Sequence, residues 1–395
     1  MTKKFEYRKV TPEEKLHVTR LQSIVFSSDN ENEQTILEQI AKGEYKSDNT
    51  YGAVDADGRV AAGMEILPYT MWFDGHKVPM YGIGGVASMP ETRRQGHIRK
   101  IFEKVFDDIY GLGAVFSHLY PFSYDYYRKF GYEHAGSVMR YTLPLEQARR
   151  LKNSGSAHEF IKSGGERERL IEVYESYASR HNMMLSRTEK RWDEVFNIGL
   201  FGADRLYYWK CETGEIKSWI KFKKDGDTMK IHDIAWVDHE GMLGIFQFMG
   251  MFDGAADNLK FASSPEFIPD LYWNDIYDIE AERAMMGMNR VVDAKRALEL
   301  IKKEGEGGFK IKVTDDFASW NNNTYAVEYG AGECTVKTTK TGADIEVSAR
   351  ALVQLVLGVF ELEYLKHRDD VQINSKLHTL ECVFRRKKML LADHF

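Results

Sequence analysis

A strand, a loop rich in arginine and glycine, and an amphipathic helix follow one another without a break between Met80 and Ile109, and this run constrains the fold more than any other part of the 395 residues. Met80 to Met89 has strand length and strand composition. From Ile98 the apolar residues Ile98, Ile101, Phe102, Val105, Phe106 and Ile109 recur at helical spacing, which lays them along one continuous face of an α-helix. Ala114 to Leu119 reads as the next strand. Upstream, helical patterns cover Pro12 to Val25 and Glu33 to Lys42. Asp57-Gly58 and Asp74-Gly75 punctuate the strands that follow, since Asp-Gly pairs suit the positive φ angles of tight hairpin turns.

At roughly 100 to 200 residues per domain, the length calls for more than one core. Turn signals and periodicity divide it into three blocks, 1–145, 146–285 and 286–395. The second block opens on a Gly/Ser-rich joint near Asn153 to Ser156. Helices are expected at Glu166 to Arg180 and Thr188 to Asn197, and strands at Arg205 to Cys211, Ile216 to Phe222 and Thr228 to Val237. An apolar helix near Met242 to Phe252 and a short strand at Asn258 to Ala262 complete it. That order repeats the first block's. Where the first block has Arg93, Arg94 and Gly96, the second has Asp238, His239, Glu240 and Gly241, so it reads as a degenerate duplicate without positive charge in its loop. The third block alternates strands at Gly308 to Thr314, Thr324 to Tyr329, Cys334 to Thr338 and Asp344 to Val347. It ends in a helix from Ala349 to about Lys366, with Ser348 as its N-cap. The expected class is α+β.

Composition excludes several functions. No apolar run in the first twenty residues could serve as a signal peptide, and no stretch approaches the 18 or so apolar residues of a membrane span. Cys211, Cys334 and Cys382 are odd in number and not spaced as metal ligands, which fits reduced thiols in the cytoplasm and no bound metal. The formal net charge of −6 argues against nucleic-acid binding and suits a cationic partner.

The chemistry concentrates in Val86, Ala87, Ser88 and the residues after them, Met89 to Ile98. A helix N-terminus offers unpaired N–H groups and the positive end of the helix dipole, so a pyrophosphate can sit there on backbone donors. Arg93 and Arg94 would add charge-assisted bonds, and Gly96 would let the backbone approach closely. The plainer alternative makes the arginines solvated loop charges and Gly96 an ordinary helix-start glycine.

Val86 to Ile98, with Arg93-Arg94-Gln95-Gly96-His97-Ile98 at its end, resembles the acetyl-CoA motif of the GNAT superfamily. Tyr126-Tyr127-Arg128-Lys129-Phe130-Gly131-Tyr132 resembles its Y-x-x-x-G-[FY] signature. The three-block layout and the ending in Phe395 are similar to the Eis (enhanced intracellular survival) acetyltransferases, in which two GNAT-type regions precede a sterol-carrier-protein-like domain. The resemblance implies two mixed-sheet GNAT domains in tandem, the second degenerate, followed by an α+β sterol-carrier-protein-like domain whose tail docks at the active site. It implies acetyl-CoA as co-substrate, held by Val86, Ala87, Ser88, Arg93, Arg94, Gln95, Gly96, His97 and Ile98, and a homo-oligomer, a hexamer by family resemblance. Ile98 departs from the superfamily pattern, which prefers Gly or Ala there.

Amide formation from a thioester needs a neutral amine, a polarised carbonyl and a proton for the departing thiolate. Tyr127 matches the family's acid, with Tyr126 as the alternative. The strand Met80 to Met89 contains no Asp, Glu or His, so a base must come from elsewhere. The apolar tail Met389 to Phe395 could dock and bring in the α-carboxylate of Phe395, which Eis-like enzymes use as base; water is the alternative. The acidic run Asp29, Glu31 and Glu33 would attract an aminoglycoside, a polyamine or a lysine side chain, or is simply a solvated loop. His394 stands where some relatives have an acid. A different class of function, a lipid- or partner-binding protein with a vestigial CoA site, rests on the apolar helix from Ala349.

Overall fold

A computed structural model describes residues 4–26, 33–199 and 201–393. The first stretch comprises β1 (Phe5–Lys9), α1 (Pro12–Phe26), α2 (Glu33–Ala41), β2 (Thr50–Asp55), β3 (Val60–Phe73), β4 (His76–Ser88), α3 (His97–Gly111), β5 (Phe116–Leu119), α4 (Tyr124–Arg128), β6 (Glu133–His134), β7 (Ser137–Pro144) and α5 (Leu145–Ala148). The middle comprises β8 (Gly155–Glu159), α6 (Arg167–Ala178), β9 (Leu185–Ser186), α7 (Glu189–Val195), β10 (Asp204–Cys211), β11 (Ile216–Asp225), β12 (Thr228–Trp236), α8 (His239–Gly250), β13 (Asn258–Ser263) and β14 (Glu280–Met285). The last part comprises β15 (Met288–Val291), α9 (Ala294–Leu300), β16 (Gly307–Thr314), β17 (Thr324–Gly330), β18 (Glu333–Thr339), β19 (Ile345–Ser348), α10 (Ala349–Leu357), α11 (Leu362–Leu365), β20 (Val371–Ile373) and α12 (Leu377–Val383).

Among the described residues the strands build three sheets, and the architecture is α+β. The first has the order β1-β2-β3-β4-β5-β15-β6, with β9 added beside β3. Asp74 and Gly75 take φ angles of 48° and 83° and turn β3 into β4, as the Asp-Gly signal required. The chain then crosses through α3 to β5, which lies parallel to β4. The apolar stripe of α3 is buried from His97 to Ile109, and each of its large aliphatic or aromatic side chains contributes about 1.5–3 kcal/mol by leaving water. The second sheet has the order β14-β7-β13-β12-β11-β10-β8, and here β12, α8 and β13 repeat the strand, helix and parallel strand of β4, α3 and β5. The third has the order β18-β17-β16-β19-β20.

Two strands cross the divisions suggested by local pattern. β7 falls before residue 145 yet pairs with β13 and β14 in the second sheet. β15 falls after residue 286 yet lies between β5 and β6 in the first. The Gly/Ser-rich joint runs into an edge strand, β8, against β10. The last long helix is also shorter than its periodicity suggests. Gly358 adopts φ 69°, where a Cβ would stand 2.6 Å from the Arg385 carbonyl oxygen, so the helix stops at Leu357 and resumes only as α11. Ser348 does cap α10, accepting from the Ala351 N–H at 3.2 Å. Leu352, Leu355 and Val356 of α10 are fully buried, and the helix packs on β19 and on β15 and β6 of the first sheet.

Candidate active site

β4 and β5 pair in parallel only from Met80 opposite Phe116 to Ile83 opposite Leu119. β4 continues to Ser88, while the chain turns away after Leu119, so among the described residues no strand lies beside the edge of Gly84 to Ser88 that faces β5. A bulge sharpens the divergence. On the β3 side the register steps from Glu65 opposite Gly84 to Gly63 opposite Ala87, leaving Gly85 and Val86 across from Met64 alone. Gly85 has φ 58°, and Gln22 of α1 donates to its carbonyl at 3.2 Å. A Cβ there would fall 2.0 Å from the Gln22 amide nitrogen, a side-chain end that could move aside, so it is the positive φ that favours glycine.

Beyond Ser88 a single turn at Pro90–Thr92 is pinned by the Thr92 hydroxyl, which donates to the carbonyls of Ala61 at 2.9 Å and Met89 at 3.1 Å. Arg94 and Gly96 then take φ angles of 65° and 83°, and α3 starts at His97. No side chain caps this helix, and its first turn holds no acidic residue, so its leading N–H groups face the loop unneutralised. Arg93, Arg94, Gln95 and Gly96 are exposed, and neither arginine pairs with a described carboxylate. Such a cradle suits a diphosphate.

The last two loop residues behave differently from the others. His97 turns its ring inward, sharing a hydrogen bond with the Tyr7 hydroxyl at 3.2 Å and stacking edge-on against Phe5, and burial holds its pKa below the usual histidine range. It offers an anion its backbone, not its ring. Ile98 also points into the core, beside Ile101 and Phe102, so its bulk does not obstruct the loop.

Tyr127 lies on the short helix α4, which Ser123 caps by accepting from the Tyr126 N–H at 3.4 Å. Its ring is buried against Phe102, Phe122, Tyr126 and Tyr132, and its hydroxyl makes no hydrogen bond to a described residue. Burial pushes the phenol above its ordinary pKa, so it carries its proton at neutral pH. Tyr126, half-buried, is raised for the same reason. Tyr127, Ile98, Ile83 and the side chain of Val86 share one apolar cluster, which brings the acid candidate, the loop and the free strand edge onto a common core.

A buried arginine holds α4 in place. Arg290 of β15 donates to the Phe130 carbonyl and, from Nη2, to both carboxylate oxygens of Asp315 at 2.9 and 2.7 Å; the arginine and aspartate side chains are 0% and 1% exposed. Gly131, at φ 79°, leaves the room: a Cβ would stand 1.9 Å from the guanidinium. Nothing in the pattern around Met288-Asn289-Arg290-Val291 announced this, beyond an arginine in an apolar strand.

The tail docks as far as it is described. Met389, Leu390, Leu391 and Asp393 are buried. Asp393 meets Arg187 at 3.0 Å, Arg191 at 3.2 Å and the Tyr174 hydroxyl at 3.3 Å. His394 and Phe395 lie outside the described residues, as do Asp29 and Glu31; Glu33 opens α2, and its side chain is not described. Among the described residues no three His, Cys, Asp or Glu side chains group as metal ligands, and no helix is long and apolar enough to cross a membrane.

Residues 6–135 match the acetyltransferase (GNAT) domain family, and residues 292–391 match the sterol carrier protein domain family. No curated protein sequence matches. Among solved structures, a probable N-acyltransferase from Enterococcus faecalis V583 is 21% identical with a TM-score of 0.83, and a GCN5-related N-acetyltransferase from Anabaena variabilis is 20% identical with a TM-score of 0.84. Eis1 from Mycobacterium abscessus is 17% identical with a TM-score of 0.79. Each alignment covers 99% of this chain and 100% of the other. Those likenesses give the fold, and the domain matches give its parts: an acetyltransferase (GNAT) domain over residues 6–135, which makes the protein an acyl-CoA-dependent acetyltransferase, and a sterol carrier protein domain over residues 292–391.

Proposed function

We propose that the protein transfers the acetyl group of acetyl-CoA to a primary amine, on an aminoglycoside, a polyamine or a lysine side chain. The observation that carries this reading is the convergence of an unpartnered strand edge, an uncapped helix N-terminus flanked by arginines, and a protonated phenol on one core. In the proposed reaction Arg93 and Arg94 and the backbone from Gln95 through Gly96 and His97 to Ile98 hold the diphosphate. N–H groups of Val86, Ala87 and Ser88 polarise the thioester carbonyl. The amine nitrogen attacks the carbonyl carbon, the C–S bond breaks, and the sulfur takes the proton of Tyr127, which solvent restores. The proton lost by the amine goes to the α-carboxylate of Phe395 or to water. Residues 1–145 would carry the reaction, 146–285 would be the degenerate duplicate and 286–395 the domain that delivers the tail, in a cytoplasmic homo-oligomer, a hexamer by resemblance. The competing lipid-carrier reading is disfavoured by α10, whose apolar residues are already covered by the chain.

The test is acetyl-CoA consumption, followed by thiol release, across a panel of aminoglycosides, polyamines and lysine peptides. Turnover with at least one class is expected, and silence across the panel would sink the proposal. Residues appended after Phe395 separate the two bases: an extended enzyme that keeps its rate and its folding assigns the proton to water.

A further inference from the structure

The second sheet keeps an opening of its own. β12 and β13 pair in parallel only from Thr228 opposite Asn258 to Lys230 opposite Lys260, although they continue to Trp236 and Ser263. α8 crosses between them as α3 crosses between β4 and β5, but its N-terminus is occupied. Asp238 accepts from the Gly241 N–H at 2.9 Å, and Lys217 pairs with both Asp238 and Glu240. Carboxylates at this point repel a diphosphate.

Something else fills the opening. Leu390, Leu391 and Ala392 line, with Ile231 to Ile234 of β12 and Ala262 of β13, a cavity of about 100 Å³, well below the roughly 300–1,000 Å³ of small-molecule sites. The tail is fastened along its length. Lys387 pairs with Asp74 at the β3–β4 turn, the Asn182 N–H donates to the Lys388 carbonyl at 2.8 Å, and the Leu390 N–H donates to the Asn182 carbonyl at 3.1 Å. At the far end Arg187, its side chain 3% exposed, donates to Asp393 at 3.0 Å and to Asp233 of β12 at 2.5 Å. Two buried carboxylates converge on one buried guanidinium, and neither is tolerated there uncompensated. Tyr120 lines the same cavity and follows directly on Leu119, where β5 leaves β4.

Residues 387–393 of the same chain thus occupy the opening of the second sheet, and we infer that Arg187 is a positioning residue for the transfer reaction. By joining Asp393 to Asp233 it fixes this segment beside Tyr120, at the mouth of the acyl-transfer cleft. The kinetic consequence rests on the acetyl-transfer reading; the docking does not.

The test uses the full-length protein with Asp393→Asn, which keeps its shape and leaves Arg187 paired to Asp233, and with Arg187→Lys and Arg187→Met. Amide exchange across 388–393 should rise about tenfold or more in Asp393→Asn. kcat/KM for the amine should fall about tenfold or more while the acetyl-CoA Kd stays within about twofold, and Arg187→Lys should lose less than Arg187→Met. If Arg187→Met does not fold, Asp393→Asn alone decides. Unchanged exchange in Asp393→Asn overturns the fastening of the segment by Arg187, and equal losses in amine kcat/KM and acetyl-CoA affinity overturn the positioning role. Should the wild-type protein transfer no acetyl group, the acetyl-transfer reading falls, and exchange still decides the fastening by Arg187.

Discussion

Asp315→Asn should destabilise the protein markedly, because it leaves the buried Arg290 guanidinium without its carboxylate partner. Arg290 is fully buried, and its Nε already lacks a partner among the described residues. With the carboxylate gone, its compensation falls to the Phe130 carbonyl, one amide oxygen and the faces of Phe106 at 4.6 Å and Phe317 at 5.8 Å. Cation–π contacts of that kind offset about 0.5–2 kcal/mol, against about 3–5 kcal/mol for breaking a buried pair. The net expectation is about 3 kcal/mol. Arg290→Met should cost somewhat less, since Asp315 would keep the N–H groups of Phe317 at 3.0 Å and Ala318 at 2.9 Å and the Asn321 amide at 3.1 Å. The double variant Arg290→Met/Asp315→Asn should cost less than the two single changes together, by about 2 kcal/mol or more. Three sheets need not unfold in one step, so urea midpoints are compared on the transition that acetyl-CoA shifts. Asp315→Asn within about 0.5 kcal/mol of wild type, or strict additivity, refutes the reasoning. Because Arg290 grips the residue ending the α4 turn, the surviving variants should also lose kcat, Tyr127 being displaced.

Tyr127→Phe should lower kcat about a hundredfold with unchanged acetyl-CoA Kd, the low end of what a positioned acid supplies; an unchanged kcat moves the role to Tyr126 or water. Since burial raises the Tyr127 pKa, its acid form persists above the ordinary phenol range, and stopped-flow kcat should show no loss from this group up to about pH 10. Arg93→Gln and Arg94→Gln should each weaken acetyl-CoA binding about tenfold at low salt and less at high salt, as exposed charges are screened; calorimetry at two ionic strengths checks both. His181, pushed down to about 4 by burial, stays neutral in the fold while an unfolded histidine takes up its proton near pH 6.5. Stability should therefore fall as pH drops from about 6.5 to about 4, by up to about 1.4 kcal/mol per unit, and His181→Phe should flatten that slope in pH-dependent melts.

Local chemistry carried much of this protein in its sequence. The stripe from Ile98 to Ile109 determined α3, Asp74-Gly75 determined the β3–β4 turn, and Ser348 determined the start of α10, because each signal is complete within a few residues. The repeated order of elements also announced a second sheet built like the first. What stayed hidden were choices between distant partners. Strand character says nothing of which edge a strand joins, so β7 and β15 could be placed only by the sheets that accept them. The same holds for charge: Arg187 and Asp393 are 206 positions apart, and Arg290 and Asp315 are 25 apart. A lone arginine in a sequence looks like surface charge, and only burial, which tertiary packing imposes, turns it into a group that must find a carboxylate. The candidate loop and the candidate acid could thus be named from the chain, whereas the grip of Arg290 and Asp315 on α4 and of Arg187 on the tail was decided by the packing of the three sheets.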